Sequence, residues 1–195
     1  KYQSKDNLTC VFFGDGAMNE GSFYESLNFA TLHQLPIIFV CEDNDLAIHS
    51  KRSEREGFKS IGQLVKSFNI DFYEVDGSNL NDILTVTQGC FEKLQNETKP
   101  VFIHAKYYRF LEHVGTLEDY KSEYRTKPKD LNTTQDPIYK ADSLLKSQSI
   151  SQDELTQLKL ELIESINISI EKAKSSNFPS DSELYEHVFD RMIEA

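Results

Sequence analysis

The chain has 195 residues and a modest hydrophobic fraction of 38%, enough for one domain that buries roughly 70% of its unfolded surface. Its net charge of −11 argues against nucleic acid or an anionic membrane as a partner, although it leaves room for a local cationic pocket. No apolar run approaches the roughly 18 residues that a membrane-spanning helix needs.

In chain order, four short apolar runs predict strands, at residues 8–13, 36–41, 70–75 and 100–105. Each run is apolar at nearly every position, which is typical of strands buried on both faces. Helical periodicity lies between them, at residues 20–33, with Phe23, Leu27 and Ala30 on one stripe, and at residues 61–68 and 80–94. This alternation predicts an α/β fold with a parallel sheet flanked by helices. In such sheets, ligands bind beyond the carboxyl ends of the strands.

The three cysteines are too few and too scattered for a disulfide framework or a zinc site. Cys10 and Cys41 lie inside predicted strands, so we expect buried free thiols there. Free thiols favour a reducing compartment, and we expect the protein to be cytoplasmic.

The character of the sequence changes after residue 106. Residues 106–136 are polar, charged and aromatic with no clear period, and segments of this length are usually functional or disordered. Residues 137–195 predict C-terminal helices, with capping boxes at Ser151 and Glu154 and at Ser180 and Glu183. The longer helix has an apolar stripe that we expect to be buried, formed by Leu155, Leu158, Leu162, Ile166, Ile170 and Ala173.

The sequence FFGDG places Asp15 between Gly14 and Gly16 at the carboxyl end of the first strand. The glycines allow a tight turn, and a helix beginning near Asn19 would favour phosphate at its N-terminus. A carboxylate would repel that phosphate unless a divalent cation joined the two. The stretch therefore predicts a magnesium–diphosphate site with Asp15 as a ligand. The alternative is that Asp15 only caps the helix.

A second oxygen ligand is predicted from the neighbouring strand. Asn44 follows the strand that ends at Cys41, and the carbonyl of Leu46, two residues further on, could add a third ligand. Turns of this composition are common, so Asn44 alone could be structural. The joint pattern is more specific, because GDG and Asn44 each follow a buried strand with a helix between them.

These motifs carry a family resemblance. Residues 12–48 resemble the alpha subunit of the thiamine diphosphate-dependent 2-oxo acid dehydrogenases, which include pyruvate, branched-chain 2-oxo acid and acetoin dehydrogenases. The likeness extends through residues 75–83 and 100–115 to residues 124–138. It implies a transketolase-like domain that binds thiamine diphosphate.

The resemblance also implies roles for individual residues. Asp15, between Gly14 and Gly16, would hold magnesium together with Asn44 and the Leu46 carbonyl. Gly16 and Ala17 would face the diphosphate through their N–H groups, and Asn19 would lie near the cofactor. His113 matches a histidine that the family uses for proton transfer and for meeting the lipoyl group, and Arg109 matches an arginine of the same loop.

Two residues depart from the family pattern, and the other histidines are less specific. Asp43 stands where an asparagine is common, and Val114 stands where mitochondrial members have a regulated serine, so the loop looks like that of bacterial acetoin-type members. His49 could line the pocket or lie on the surface. We expect structural roles for His33, His104 and His187.

The resemblance implies partners as well. We expect a heterotetramer with a beta subunit, a lipoyl domain as acyl acceptor and a small 2-oxo acid or ketone as substrate. The family has a long upstream segment, so we expect residues 1–195 to be a single domain that is a fragment of a longer protein. Because the activating glutamate comes from the beta subunit, the isolated chain should be inactive.

Other functions stay open at this point. A thiamine-dependent ligase or non-oxidative decarboxylase would use the same motifs, and a non-catalytic assembly subunit could keep the fold. A nicotinamide-binding domain is the weakest alternative, because GDGAMN lacks the third glycine of the dinucleotide fingerprint.

Overall fold

The computed structural model describes residues 7–185, and these form two compact units that meet in sequence at Leu145 and Lys146. Within this range the strands are β1 (Thr9–Gly14), β2 (Ile37–Asp43), β3 (Leu46–Ala47), β4 (Ser50–Lys51), β5 (Asp71–Asp76) and β6 (Val101–Lys106). The α-helices are α1 (Gly21–Leu32), α2 (Arg52–Arg55), α3 (Ile61–Ser67), α4 (Leu80–Asn96), α5 (Pro137–Ser147) and α6 (Gln152–Ser175). Short 3₁₀ helices cover Asp15–Asn19, Tyr120–Ser122 and Asp181–Tyr185.

The first unit is built on a four-stranded parallel sheet in the order β1-β2-β6-β5. The four predicted strands are confirmed, each displaced by one or two residues along the chain. The register pairs Gly14 with Glu42, and Lys106 with both Asp43 and Asp76. The carboxyl ends of the four strands therefore lie at one edge of the sheet, where the predicted site residues follow them.

Helices cover both faces of the sheet, as predicted. On one face, the stripe of Phe23, Leu27 and Ala30 on α1 is buried in a cluster with α3 and the central Phe102. On the other face, α4 buries Cys90 against sheet residues in a second cluster. The all-apolar pattern of the central strands reflects this double burial.

The prediction of burial on both faces is wrong for β1, and so is the expected burial of Cys10. The exposed fraction of Phe12 is 66%, and Cys10 is exposed while Cys41 is buried. The physical reason is position, since β1 lies at the edge of the sheet and pairs only with β2 among the described strands. Cys10 and Phe12 line an apolar cavity of about 460 Å³ on that side.

The second unit contains the predicted long helix, α6. Its capping box is confirmed: the Ser151 hydroxyl accepts from the Glu154 N–H at 3.2 Å, and the Ser151 N–H donates to the Glu154 carboxylate at 2.8 Å. The predicted buried stripe is wrong beyond Leu155, which is 2% exposed. The rest of the stripe is exposed in the described residues, namely Leu158, Leu162, Ile166, Ile170 and Ala173. An apolar period shows that a face is suited to burial, but it does not supply the surface that buries it.

At the end of the described residues, Ser180 and Glu183 are hydrogen bonded at 3.2 Å beside the Asp181–Tyr185 3₁₀ helix. The remainder of the predicted last helix, with His187, lies outside the described residues. Among residues 7–185, no helix is both long enough and apolar enough to cross a membrane. The single-domain assignment stays a prediction.

Candidate functional site

The turn after β1 buries a carboxylate that is only half satisfied. Asp15 starts the 3₁₀ helix that precedes α1, and its exposed fraction is 1%. Its Oδ2 atom forms an ion pair with Nη2 of Arg55 at 2.5 Å. Its Oδ1 atom is buried and has no hydrogen-bond partner among the described residues. A buried carboxylate oxygen without a partner is costly, and it marks a position that a ligand could satisfy.

The electrostatics of Asp15 agree with this geometry. Burial raises the pKa of the Asp15 carboxyl above its usual value, the hydrogen bond from Arg55 opposes this rise, and the nearby charge of Asp43 adds to it. The balance is a raised pKa, so the folded protein disfavours the ionised carboxylate despite the arginine. A further cation would reverse that balance.

Gly16 brings the Asp15 turn against the next site segment. A Cβ atom on Gly16 would lie 2.8 Å from the Cβ of Ala47, which is closer than side-chain atoms pack. The absence of a side chain therefore lets the Asp15 turn contact β3, which contains Leu46. Two of the three predicted magnesium ligands lie on these two touching segments.

The third predicted ligand, Asn44, lies in the turn between β2 and β3. Its Oδ1 atom accepts from the Leu46 N–H at 3.1 Å, and its Nδ2 atom donates to the hydroxyl of Tyr107 at 2.9 Å. An amide oxygen can accept two hydrogen bonds, so these contacts hold the side chain while leaving acceptor capacity on Oδ1.

Ile48, at the tip of the β3–β4 hairpin, has φ +56°, which is an unfavourable conformation for a β-branched residue.

Asp43, the departure from the family pattern, is a buried carboxylate with a full set of partners. It accepts from the Asp45 N–H at 2.8 Å, contacts Nε2 of His104 at 2.7 Å and pairs with Arg52. Burial acts to raise the pKa of Asp43, but the hydrogen bonds from His104 and Asp45 and the charge of Arg52 outweigh burial and lower it. His104 is itself buried, which agrees with the structural role expected for it.

Helix α2 joins the two carboxylates, and its role was not predicted from the sequence. Arg52 at its start pairs with Asp43, and Arg55 at its end pairs with Asp15 and also donates to Oδ1 of Asn19. Glu56 follows directly, and its buried Oε1 atom has no partner within the described chain. An alternation of acidic and basic residues at 52–56 is typical of an exposed helix, so only the tertiary contacts distinguish this one.

The segment 106–136 is organised around a third buried carboxylate, Asp119. Asp119 accepts from Nε of Arg125 at 2.9 Å and from Nη2 of Arg109 at 3.3 Å, and it also bonds to Tyr124. Arg109 additionally donates to the Ile48 carbonyl at 3.1 Å. Arg109 therefore ties this loop to the hairpin that follows Asn44. Its catalytic role stays a prediction, and its contacts indicate that it positions the loop.

His113 lies in a tight loop within that segment, where its side chain is exposed. The loop is closed by the Glu112 N–H, which donates to the Leu117 carbonyl at 2.9 Å. Gly115 has φ +125°, and a Cβ there would meet the Glu112 carboxylate, so only glycine fits. The structure does not bring His113 into a described contact with Asp15 or Asn44. The His49 ring packs on Tyr124 at 4.5 Å between centroids.

A cavity of about 510 Å³ adjoins the turn after β2 and is lined in part by Asn44 and Leu46. Most of its remaining wall is cationic or phenolic and comes from Lys51, Arg52, Lys106, Tyr107, Tyr108, Arg109, Tyr124 and Arg125. Asp43 and Asp45 also line this cavity, but its cationic side chains outnumber them, so the acidic protein has a locally cationic pocket, as the composition allowed. It adjoins two of the predicted metal ligands.

The family model described as the dehydrogenase E1 component matches residues 1–182 of the chain. The chain belongs to this family. The family prediction made from residues 12–48 is thereby confirmed, and the α/β prediction is confirmed by the parallel sheet with helices on both faces.

Curated proteins similar to this dehydrogenase E1 chain include alpha subunits of the pyruvate dehydrogenase E1 component. This chain is 30% identical over 188 residues to "pyruvate dehydrogenase E1 component subunit alpha" of Rhizobium meliloti, and the match covers 95% of this chain and 53% of that protein. The chain is 34% identical over 183 residues to the protein of the same name from Porphyra purpurea, and the match covers 93% of this chain and 53% of that protein. The chain spans about half the length of these relatives. Among solved structures, a transketolase mutant from Pichia stipitis matches with TM-score 0.44 and 27% identity, over 52% of this chain and 15% of that chain.

The site of this dehydrogenase E1 chain can be tested for its fit to magnesium and a diphosphate. In the described part of the chain, no group of three or more His, Cys, Asp or Glu side chains could hold a metal. A metal here would therefore depend on mixed donors, namely a carboxylate, an amide and a carbonyl, which suit magnesium. The unpartnered Oδ1 of Asp15 and the cramped approach at Gly16 fit such an ion.

Proposed function

We propose that this chain is part of the alpha subunit of a 2-oxo acid dehydrogenase that binds thiamine diphosphate with magnesium. Membership of the dehydrogenase E1 component family and the names of the curated relatives support the proposal. The observation that carries it is Asp15, a carboxylate buried to 1% exposure with one unpartnered oxygen in residues 7–185. It lies at the carboxyl end of a parallel strand, where this class of fold binds its ligands.

Within this proposal, the two touching turns hold the cofactor. Asp15, Asn44 and the Leu46 carbonyl would bind magnesium, while Gly14, Gly16, Ala17 and Asn19 would line the diphosphate. When bound, thiamine diphosphate would supply the electron sink for loss of CO₂ from the substrate. The protein's contribution here is to fix the diphosphate end, through Tyr107 on Asn44 and through the close packing of Gly16 on Ala47.

His113 and Arg109 would serve the acyl-transfer end. The imidazole of His113 is exposed, and histidine is the side chain that enzymes most often use for proton transfer. Arg109 ties the segment that contains His113 to the hairpin after Asn44, through its bonds to Asp119 and the Ile48 carbonyl. We assign His113 to proton transfer and Arg109 to positioning.

The proposed assembly is a heterotetramer with a beta subunit, acting in the cytoplasm. Its substrate would be a small 2-oxo acid, or a ketone in an acetoin-type enzyme, and its acyl acceptor the lipoyl domain of an acyltransferase. Support comes from the relatives' description as an alpha subunit. Because the glutamate that activates the cofactor would come from the beta subunit, we expect the isolated chain to be inactive.

The test is calorimetric titration of thiamine diphosphate into the full-length chain co-expressed with its beta subunit, with and without magnesium. We expect magnesium-dependent binding near micromolar, about −8 kcal/mol. Asp15→Ala should weaken it by at least about a hundredfold, or about 2.7 kcal/mol, because it removes the charged ligand. Pyruvate-dependent acylation of a lipoyl domain then tests the substrate and the acceptor.

Magnesium-ADP is the control ligand in this titration. Binding of ADP in place of thiamine diphosphate would show that the site takes a different diphosphate. A well-assembled complex that binds neither would refute the proposed function.

A further inference from the structure

Arg55 holds the Oδ2 atom of Asp15, beside the unpartnered Oδ1 atom that would take a cation. Its guanidinium pairs with Oδ2 of Asp15 at 2.5 Å and donates to Oδ1 of Asn19 and to the Ser50 carbonyl, the last at 3.3 Å. Two residues assigned to magnesium and the diphosphate, Asp15 and Asn19, are thus held by one internal cation. We propose that Arg55 is a placeholder that competes with the metal for Asp15 and is displaced when the metal binds. This inference rests on the proposed function.

The competition follows from charge. A divalent ion on the Asp15 carboxylate would lie within a few ångströms of a guanidinium that contacts the same group, and like charges at that distance repel strongly in a partly buried site. The metal and Arg55 therefore cannot both make their best contact with Asp15. Binding of the metal must be coupled unfavourably to the Arg55–Asp15 ion pair, and such a coupling is reciprocal.

Arg55 can leave without unfolding the helix that carries it. The backbone of α2 is fixed separately, since the Arg52 N–H donates to the Asp45 carbonyl at 3.0 Å and the Lys51 N–H donates to the Glu54 carboxylate at 2.8 Å. The Arg55 side chain is 13% exposed while that of Asp15 is 1% exposed. The guanidinium therefore lies at the solvent side of the carboxylate, from which it can swing away.

The charges around α2 show why the metal can win. Three buried carboxylates, Asp15, Asp43 and Glu56, face two arginines, Arg52 and Arg55. Both Asp15 and Glu56 keep an unpartnered buried oxygen in the described structure. Even with Arg55 in place, the cluster therefore has less positive than negative charge. A divalent ion would supply the missing positive charge, and Arg55 would pair with Asp15 only in the metal-free protein.

The test uses Mn²⁺ alone as the probe, in the full-length chain assembled with its beta subunit, with free Mn²⁺ measured by electron paramagnetic resonance. Removing the competitor in Arg55→Gln should tighten Mn²⁺ binding by about tenfold, the value of one charge-assisted hydrogen bond. Arg52→Gln is the matched control, because it breaks an arginine–carboxylate pair of the same helix at Asp43 and should not tighten Mn²⁺ binding. Arg55→Lys keeps the charge and should stay close to the wild type.

Thermal melting gives a second readout that a purely structural arginine would not produce. Without metal, Arg55→Gln should melt about 3 °C below the wild type, and saturating Mn²⁺ should abolish that difference, because Arg55 no longer pairs with Asp15 in the metal-bound form. Weaker Mn²⁺ binding in Arg55→Gln, or a melting difference that persists with metal, would overturn the proposal. If the wild type binds magnesium and thiamine diphosphate but Arg55→Gln does not gain affinity, only this inference fails. If neither protein binds metal, the proposed function fails too.

Discussion

Asp15 and Asp43 occupy equivalent places in the sheet and differ in almost everything that surrounds them. Asp15 follows β1 and Asp43 ends β2, the neighbouring parallel strand. Both carboxylates are buried, and each pairs with one arginine of α2. Yet Asp43 has partners for both oxygens and a lowered pKa, while Asp15 has an unpartnered oxygen in the described residues and a raised pKa.

The difference agrees with a structural role for Asp43 and with the binding role proposed for Asp15. Asp43 uses its charge inside the protein, where it fastens the turn before Asn44 to β6 through His104 and to α2 through Arg52. Asp15 leaves part of its charge unsatisfied, which lowers stability unless a ligand completes its shell. The cost at Asp15 is typical of residues at functional sites, and neighbouring Asp43 holds the turn that carries Asn44 and Leu46, the other proposed ligands.

The largest effect that distinguishes the two carboxylates is on stability without metal. Asp43→Asn should lower the free energy of unfolding by about 3 kcal/mol, because it removes the buried charge that both Arg52 and His104 contact. Asp15→Asn should change it by less than about 1 kcal/mol, because the raised pKa shows that the fold already disfavours the ionised form. Urea unfolding of the assembled complex in the presence of a chelator would measure both.

Equal losses in the two variants would contradict this comparison, since they would mean that Asp15 is as well satisfied as Asp43. Glu74, a half-exposed carboxylate on β5 that pairs with Lys106 at 2.7 Å, offers a matched control. Glu74→Gln should cost well under about 1 kcal/mol, as expected for an exposed ion pair.

Asp15 and Asp43 should contribute to the pH dependence of stability with opposite signs. The folded pKa of Asp43 lies below the usual 3.8, so its stabilisation is complete above that value and is lost as the pH falls through the folded pKa. The folded pKa of Asp15 lies above 3.8, so the penalty for its charge is relieved as the pH falls through that pKa toward 3.8. Each slope is at most about 1.4 kcal/mol for each pH unit.

Urea unfolding at a series of pH values, from neutral to about pH 3, would measure these changes in stability. The proteins compared are the wild type, Asp15→Asn and Asp43→Asn. On acidification, the gap between wild type and Asp43→Asn should narrow, because the wild type loses what the variant already lacks. The wild type should gain relative to Asp15→Asn at a higher pH. If the free energy of unfolding of the wild type fell relative to both variants, or rose relative to both, the two pKa shifts would have the same sign and the comparison would fail.

The comparison also shows what the sequence could predict. The position of Asp15 and Asn44 at one edge of the sheet was predictable, because the carboxyl ends of neighbouring parallel strands converge there. The partners of Asp15 and Asp43 were not, because Arg52, Arg55 and His104 reach them through the fold of a short helix and a neighbouring strand. The exposure of β1 was missed for a related reason, since an apolar run does not indicate whether its strand is central or at an edge.

The smallest predicted effect concerns the hairpin that follows Asp43. Ile48 has φ +56°, a left-handed conformation that costs a β-branched residue about 1 kcal/mol or more relative to glycine. The side chain is 55% exposed, so Ile48→Gly loses little packing, and it should raise the free energy of unfolding by up to about 1 kcal/mol. Ile48→Val keeps the branched Cβ and should give no gain, which makes it the control in the same urea titration. A loss of stability in Ile48→Gly would mean that the Ile48 side chain packs on a surface beyond the described residues.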